Sequence, residues 1–233
     1  MATKTTTSVL CPQCELNDVC QQYGVVDTAD SEVLGEVTPQ QSVNKGDVVC
    51  RAGDRFDYLY AVHAGAFKSL VTLPGGEERV TGFYFAGEII GSEGMSTGKY
   101  GRTVVALQDG QLCYLPEVSF SPEDASRKMI RQGLLVAMSH QVKNEQWTGL
   151  MAAHRAEQRV AIFLYMVSKR LEFHGFPSTE FRLPMSREDI AGYLGLAVET
   201  VSRSFQKLKG AGMIQVSGRN VVLENRDALQ DFV

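Results

Sequence analysis

The sequence predicts an α+β protein: a β-rich N-terminal half, one long central helix and a C-terminal winged helix-turn-helix. Three observations predict it. Residues 41–118 break short apolar runs with Gly, Pro-Gly and Gly-Asp at close spacing, the pattern of many short strands joined by tight turns. After Ser121-Pro122-Glu123-Asp124 no proline follows until Pro177, and the apolar residues take helical spacing. The C-terminal quarter reads helix, glycine turn, helix, then two alternating segments around Ser217-Gly218-Arg219-Asn220.

The totals set bounds on function. The 233 residues, 44% hydrophobic and 21% charged, describe a soluble chain with a core. No apolar run approaches the roughly 18 residues of a membrane span, and "MATKTTTSVL" lacks an apolar signal region. The expected compartment is the cytoplasm, with no membrane partner. Net charge is −4, unevenly spread: residues 1–153 hold 12 Lys and Arg against 18 Asp and Glu, and residues 154–233 hold 11 against 9. The sequence shows no nucleophile–base constellation, so no enzyme activity is expected.

The β-rich half, with "NKGDVVCRAGD", "DYLYAVHAGAFKSLVTLPGGEERVTGF" and "YFAGEIIG", suggests a sandwich or small barrel. In the helix that follows, Leu135, Met138, Val142, Glu145 and Gly149 repeat at three and four residues. That spacing suits a seam between two copies of the helix, or packing on the β domain. Glu145 would face its own mate in a symmetric dimer, so such a seam is expected to be weak. A second amphipathic segment, "AEQRVAIFLYMVSKRLEF", runs to Gly175-Phe176-Pro177.

In "MSREDIAGYLGLAVETVSRSFQKLKGAGMI", Ser186 and Asp189 can form a capping box, Ile190 and Leu194 supply a buried face, and Gly195 makes the turn. On the second helix, Val198, Val201, Phe205 and Leu208 share one side, and Glu199, Ser202, Arg203 and Gln206 the other. The polar side suits base edges in a major groove: Arg203 to guanine O6 and N7, Glu199 to cytosine N4, Ser202 to several bases. A Glu199–Arg203 ion pair on a solvated face is the plain alternative, contributing on the order of a few tenths of a kcal/mol. The capped helix and turn in front favour DNA reading. Lys207 and Arg219 are candidates for phosphate contacts.

"CPQCELNDVC" places Cys11, Cys14 and Cys20 within ten residues, and the chain has five cysteines. In a reducing compartment such a cluster reads as a metal or redox site. Zinc takes four thiolates and favours Cys-x2-Cys. A thioredoxin-type pair lacks its βαβ setting, and none of the four histidines lies near these cysteines.

Together "KGDVVCRAGD", "LYAVHAGAFKS", "VTGF" and "FRLPMSREDIAGYLGLAVETVSR" resemble the Crp/Fnr superfamily of bacterial transcription regulators over essentially the whole chain. "YLGLAVETVSR" resembles its oxygen-responsive Fnr branch. The resemblance implies a cyclic-nucleotide-binding-like jelly roll (β-roll) at residues 31–120, after a cysteine segment at 1–30. It further implies a dimerisation helix at 121–152 and a winged helix-turn-helix at 153–233. By that likeness Glu199, Ser202 and Arg203 read a TTGAT-type half-site, twice in a palindrome of double-stranded DNA. It also implies Cys113, in "LCYLPE", as fourth ligand beside Cys11, Cys14 and Cys20, the thiolate set of a [4Fe–4S] cluster. Cys50 is left as a buried strand residue.

The expected protein is a homodimer that senses oxygen through the cluster, binds DNA in its absence and contacts RNA polymerase through the turn at Pro74-Gly75-Gly76. The rival reading within the superfamily is a cAMP sensor, with Gly91 and Arg102-Thr103 as an anion site. Against it, Ser92 stands where a ribose-binding glutamate belongs, and Glu93 comes one place late. A zinc-stapled constitutive DNA binder is a further alternative.

Overall fold

The computed structural model describes residues 38–116, 128–151 and 153–230. They divide into two compact units, one of residues 38–71, 83–116 and 128–140, the other of residues 72–82, 141–151 and 153–230.

The expected short strands form two four-stranded sheets. One has the order β1-β8-β3-β6, with β1 at Thr38–Val43, β3 at Tyr58–Ala64, β6 at Ile89–Ile90 and β8 at Gly110–Pro116. The other has the order β2-β7-β4-β5, with β2 at Val48–Cys50, β4 at Ala66–Thr72, β5 at Glu78–Phe85 and β7 at Thr103–Ala106. Their recorded pairings are antiparallel. Leu59, Val62, Phe67, Ile90, Leu112 and Leu115 are fully or almost fully buried and make the core. One short helix, α1 (Gly94–Thr97), follows β6. The turn at Pro74-Gly75-Gly76 joins β4 to β5, where the Leu73 N–H donates to the Glu77 carbonyl at 2.8 Å.

The central helix α2 spans Lys128–Met151. Its expected start at Ser121-Pro122 lies outside the described residues. Leu134 is buried in the β core, with Ala137 and Met138 packed against it. Leu135 and Val142 remain 65% and 55% exposed. The helix therefore has two apolar faces, one on the β-roll and one open, with Met138 on the first.

In the second unit, α3 (Ala156–Phe173) is the amphipathic segment ending before Gly175, and buries Val160, Ile162, Phe163, Leu164 and Val167. The helix-turn-helix pair is α4 (Arg187–Leu194) and α5 (Val198–Gly210). Strands β10 (Ile214–Ser217) and β11 (Asn220–Leu223) form the expected hairpin. A third strand, β9 (Glu180–Arg182), pairs with β11 from in front of the helix-turn-helix, pairing Phe181 with Val221. A final helix, α6, covers Arg226–Gln230.

Candidate nucleic-acid interface and sensor positions

The reading head begins with the predicted capping box. The Asp189 N–H donates to Ser186 Oγ at 3.1 Å and the Ser186 N–H donates to Asp189 Oδ2 at 2.9 Å, satisfying two amide donors that α4 leaves open. Gly195 ends α4 with φ 64° and donates its N–H to the Ala191 carbonyl, a left-handed position that glycine takes without the Cβ penalty. The chain thus turns within Gly195–Ala197 and enters α5.

On α5, Val201, Phe205 and Leu208 are buried and Val198 is half-buried. Glu199, Ser202, Arg203 and Gln206 are all exposed. Sequence and structure agree on this division. Arg203 Nη2 reaches the Thr200 hydroxyl at 3.4 Å, a long contact that holds the guanidinium only weakly. Behind the helix, the Ser204 hydroxyl donates to the Thr200 carbonyl at 2.8 Å.

The two phosphate candidates both carry intramolecular contacts. Lys207 Nζ pairs with Glu157 on α3, both side chains being substantially exposed. Arg219, in the two-residue turn of the wing, donates from Nη1 to the Pro184 carbonyl at 2.9 Å. Gly218, before it, takes φ 59°, the first turn position at which a two-residue hairpin favours glycine.

Sequence reasoning missed Arg187, the first residue of α4. Its Cζ lies 3.3 Å from the centroid of the Phe205 ring and its Nη2 stands 3.5 Å from the Gly218 carbonyl, so it touches both the reading helix and the wing. Burial pushes its pKa below the ordinary arginine value. Nothing in "MSREDI" distinguishes this arginine from a solvated helix-start residue.

Of the cysteines, Cys11, Cys14 and Cys20 lie outside the described residues. Cys113 is half-buried on β8, opposite Ala61 of β3. Cys50 is buried at the end of β2, as expected. Burial, then the nearby Glu93 charge, push its thiol up to about 12. Without a metal its thiol therefore stays protonated at neutral pH, and Cys113 is the less buried of the two. Among the described residues no three His, Cys, Asp or Glu side chains are placed to hold a metal ion.

The alternative anion site is engaged from within. The buried Tyr84 phenol is hydrogen-bonded by Arg102 and Ser69, and its pKa is raised by burial first of all. The Thr103 hydroxyl accepts from the Ala52 N–H at 3.1 Å. Ser92 is buried, and Glu93 keeps one buried carboxylate oxygen, Oε2, with no hydrogen-bond partner among the described residues. A phosphate binding here would compete with Tyr84 for the Arg102 guanidinium.

The seam residues Leu135, Val142, Glu145 and Gly149 are exposed and Met138 is half-buried. No described helix is long and apolar enough to cross a membrane.

Comparison with known proteins places these features in context. The Crp-like helix-turn-helix domain matches residues 158–232, and the cyclic nucleotide-binding domain matches residues 40–122. The fumarate and nitrate reduction regulatory protein of Escherichia coli (strain K12) is 33% identical over 225 residues, covering 95% of this chain and 89% of that protein. The protein of the same name from Salmonella typhimurium (strain LT2) matches equally, at 33% identity and the same coverage. Among solved structures, FixK2 from Bradyrhizobium japonicum superposes with a TM-score of 0.74 at 28% identity, over 84% of this chain and 96% of that one.

Proposed function

The chain belongs to the Crp/Fnr family of transcription regulators, in its Fnr branch, and from that premise we propose that it is a homodimeric oxygen sensor binding TTGAT-type palindromes when oxygen is absent. DNA binding is the family's activity. The oxygen response and its residues are the proposal.

The observation that carries the reading is the exposed row Glu199, Ser202 and Arg203 at the start of α5, behind a capped helix and a glycine turn. Arg203 would read guanine with two donors, Glu199 would accept from cytosine N4, and Ser202 would complete the half-site. Lys207 and Arg219 would hold phosphates and set register, Lys207 by exchanging Glu157 for DNA. Two heads about one helical turn apart match a palindrome.

The exposed Leu135 and Val142 support a seam with a second copy, since each leaves apolar surface in water that burial would stabilise. Glu145 and Gly149 continue that face. Cys11, Cys14, Cys20 and Cys113 would hold a [4Fe–4S] cluster, which supplies oxygen-reactive iron–sulfur chemistry. The turn at Pro74-Gly75-Gly76 is the proposed contact for RNA polymerase. The Tyr84–Arg102 bond weighs against cAMP as the ligand.

The test is to purify the chain without oxygen and measure iron, sulfide and zinc, then binding to a TTGAT palindrome, before and after air. About four irons with matching sulfide are expected, falling in air together with DNA affinity. Arg203→Ala should abolish specific binding and leave the dimer intact. Stoichiometric zinc that ignores air would reduce "CPQCELNDVC" to a structural staple and end the oxygen reading.

A further inference from the structure

The back of the reading head is tied to the last turns of α2 by a chain of hydroxyls. Thr148 Oγ1 and the Tyr193 hydroxyl lie 2.7 Å apart. Thr148 Oγ1 also lies 3.3 Å from the Asn144 carbonyl, to which it can only donate. Where the Thr148 O–H donates to that carbonyl, the Tyr193 O–H donates to Thr148; where it turns to Tyr193, the two hydroxyls stay bonded with the direction reversed. The Tyr193 ring packs on Phe163 of α3 with centroids 5.9 Å apart.

The next residue is tied as well. The Leu194 carbonyl accepts from Arg159 Nη1 at 3.1 Å, and Arg159 Nε donates to the His154 carbonyl at 2.9 Å. Leu194 closes α4, where a helix leaves its carbonyls without partners of its own. The last two residues before Gly195 are therefore held by α2, by α3 and by the link between them.

Thr148 sits three residues after Glu145 and one before Gly149, both exposed. One turn of α2 thus presents an edge to the proposed seam and another to Tyr193. We propose that Tyr193 is a positioning residue, carrying the setting of the α2 seam through Thr148 to the turn that aims α5. The inference rests on the seam and the DNA reading proposed above. A hydrogen bond of 2.7 Å tolerates little displacement before it weakens, so a rotation of α2 either moves the end of α4 or breaks the link.

Thr148→Val and Tyr193→Phe each remove one hydroxyl and keep the side-chain shape. In the full chain prepared without oxygen, each should weaken palindrome binding about tenfold, as loss of a hydrogen bond implies. The double variant should be no weaker than either single one, and the dimerisation constant should not change. Amide exchange supplies a readout independent of DNA. Residues 195–201 should be more protected in the dimer than in a Leu135→Glu monomer, and Tyr193→Phe should remove that difference.

Unchanged affinity in both variants, or losses that simply add, would overturn the relay and leave DNA reading intact. Failure of the parent chain to bind the palindrome would overturn the DNA reading instead. Exchange would still decide the relay: protection of 195–201 that depends on the dimer and on the Tyr193 hydroxyl upholds it, and protection indifferent to Tyr193→Phe refutes it.

Discussion

The Arg187 guanidinium sits over the Phe205 ring, with Cζ 3.3 Å from the centroid. It joins the first residue of α4 to the buried side of α5, and its Nη2 approaches the wing at Gly218. A cation against an aromatic face in a partly desolvated place contributes about 1–2 kcal/mol. Arg187→Ala should cost about that much in urea unfolding, since the aliphatic stem is lost too. Arg187→Lys should recover only part, because an ammonium lacks the flat surface that stacks on the ring. Equal stability of all three chains would remove Arg187 from the joint.

Cys50 should not react. With its thiol pushed up to about 12, it stays protonated at pH 8, and iodoacetamide should label it only after denaturation. The sign of the linkage follows from the raised value: its stabilising effect is complete below the ordinary value of 9.0 and declines as pH rises toward 12. Cys50→Ala should leave iron content as in the parent chain. Cys113→Ser should reduce it. Labelling of Cys50 in the native protein as fast as in the unfolded one would contradict its burial.

Tyr84→Phe should destabilise the β-roll by about 1–3 kcal/mol, the cost of leaving the buried Ser69 and the half-buried Arg102 without their hydrogen bonds to it. Arg102 loses an acceptor, and Ser69 a hydrogen-bond partner, when the phenol goes. Chemical denaturation measures this directly. A change within the error of the measurement would show that Arg102 finds other partners, and would reopen the interior to an anion.

Glu172 accepts from Arg226 Nη1 at 2.6 Å and from Nη2 at 2.8 Å, and from Lys169 at 2.9 Å. The Arg226 and Lys169 hydrogen bonds hold its carboxyl at about 2, below the ordinary value of 4.5. A lowered value means the contribution is present above pH 4.5 and is lost as pH falls toward 2. Glu172 is about half exposed, so solvent screening keeps the gain below about 1 kcal/mol. The stability difference between the parent and Glu172→Gln should be constant near neutrality and shrink below pH 4.5. A difference that grows in acid would reverse the assignment.

Much of the head was legible because its signals are local. Ser186 and Asp189 are three residues apart, Gly195 stands at the turn, and the faces of α5 follow from a 3.6-residue period. The burial of Cys50 was legible only through the family resemblance, because spacing alone does not choose between Cys50 and Cys113. The features that escaped are non-local. Arg187 meets Phe205 eighteen residues on, Tyr84 meets Arg102 across two strands, and Thr148 meets Tyr193 between helices. Each pair has one member that reads as an ordinary surface or core residue until the fold brings its partner alongside. The open question of the helix spacing was also tertiary. Leu134, Ala137 and Met138 face the β core, and Leu135 and Val142 do not. A three-and-four spacing cannot separate two faces only one residue apart.

Strand β9 has a consequence for transplanting this head. The wing sheet takes its third strand from chain that precedes the capping box, with the Leu183 N–H on the Arg219 carbonyl at 2.9 Å and the Leu223 N–H on the Thr179 carbonyl at 2.7 Å. A graft cut at Met185 would look complete by motif, yet would expose β11 as a raw edge, open to strand exchange with other molecules. The portable module therefore begins before Thr179, and the boundary of what can be moved is set by hydrogen bonding rather than by the helix-turn-helix itself.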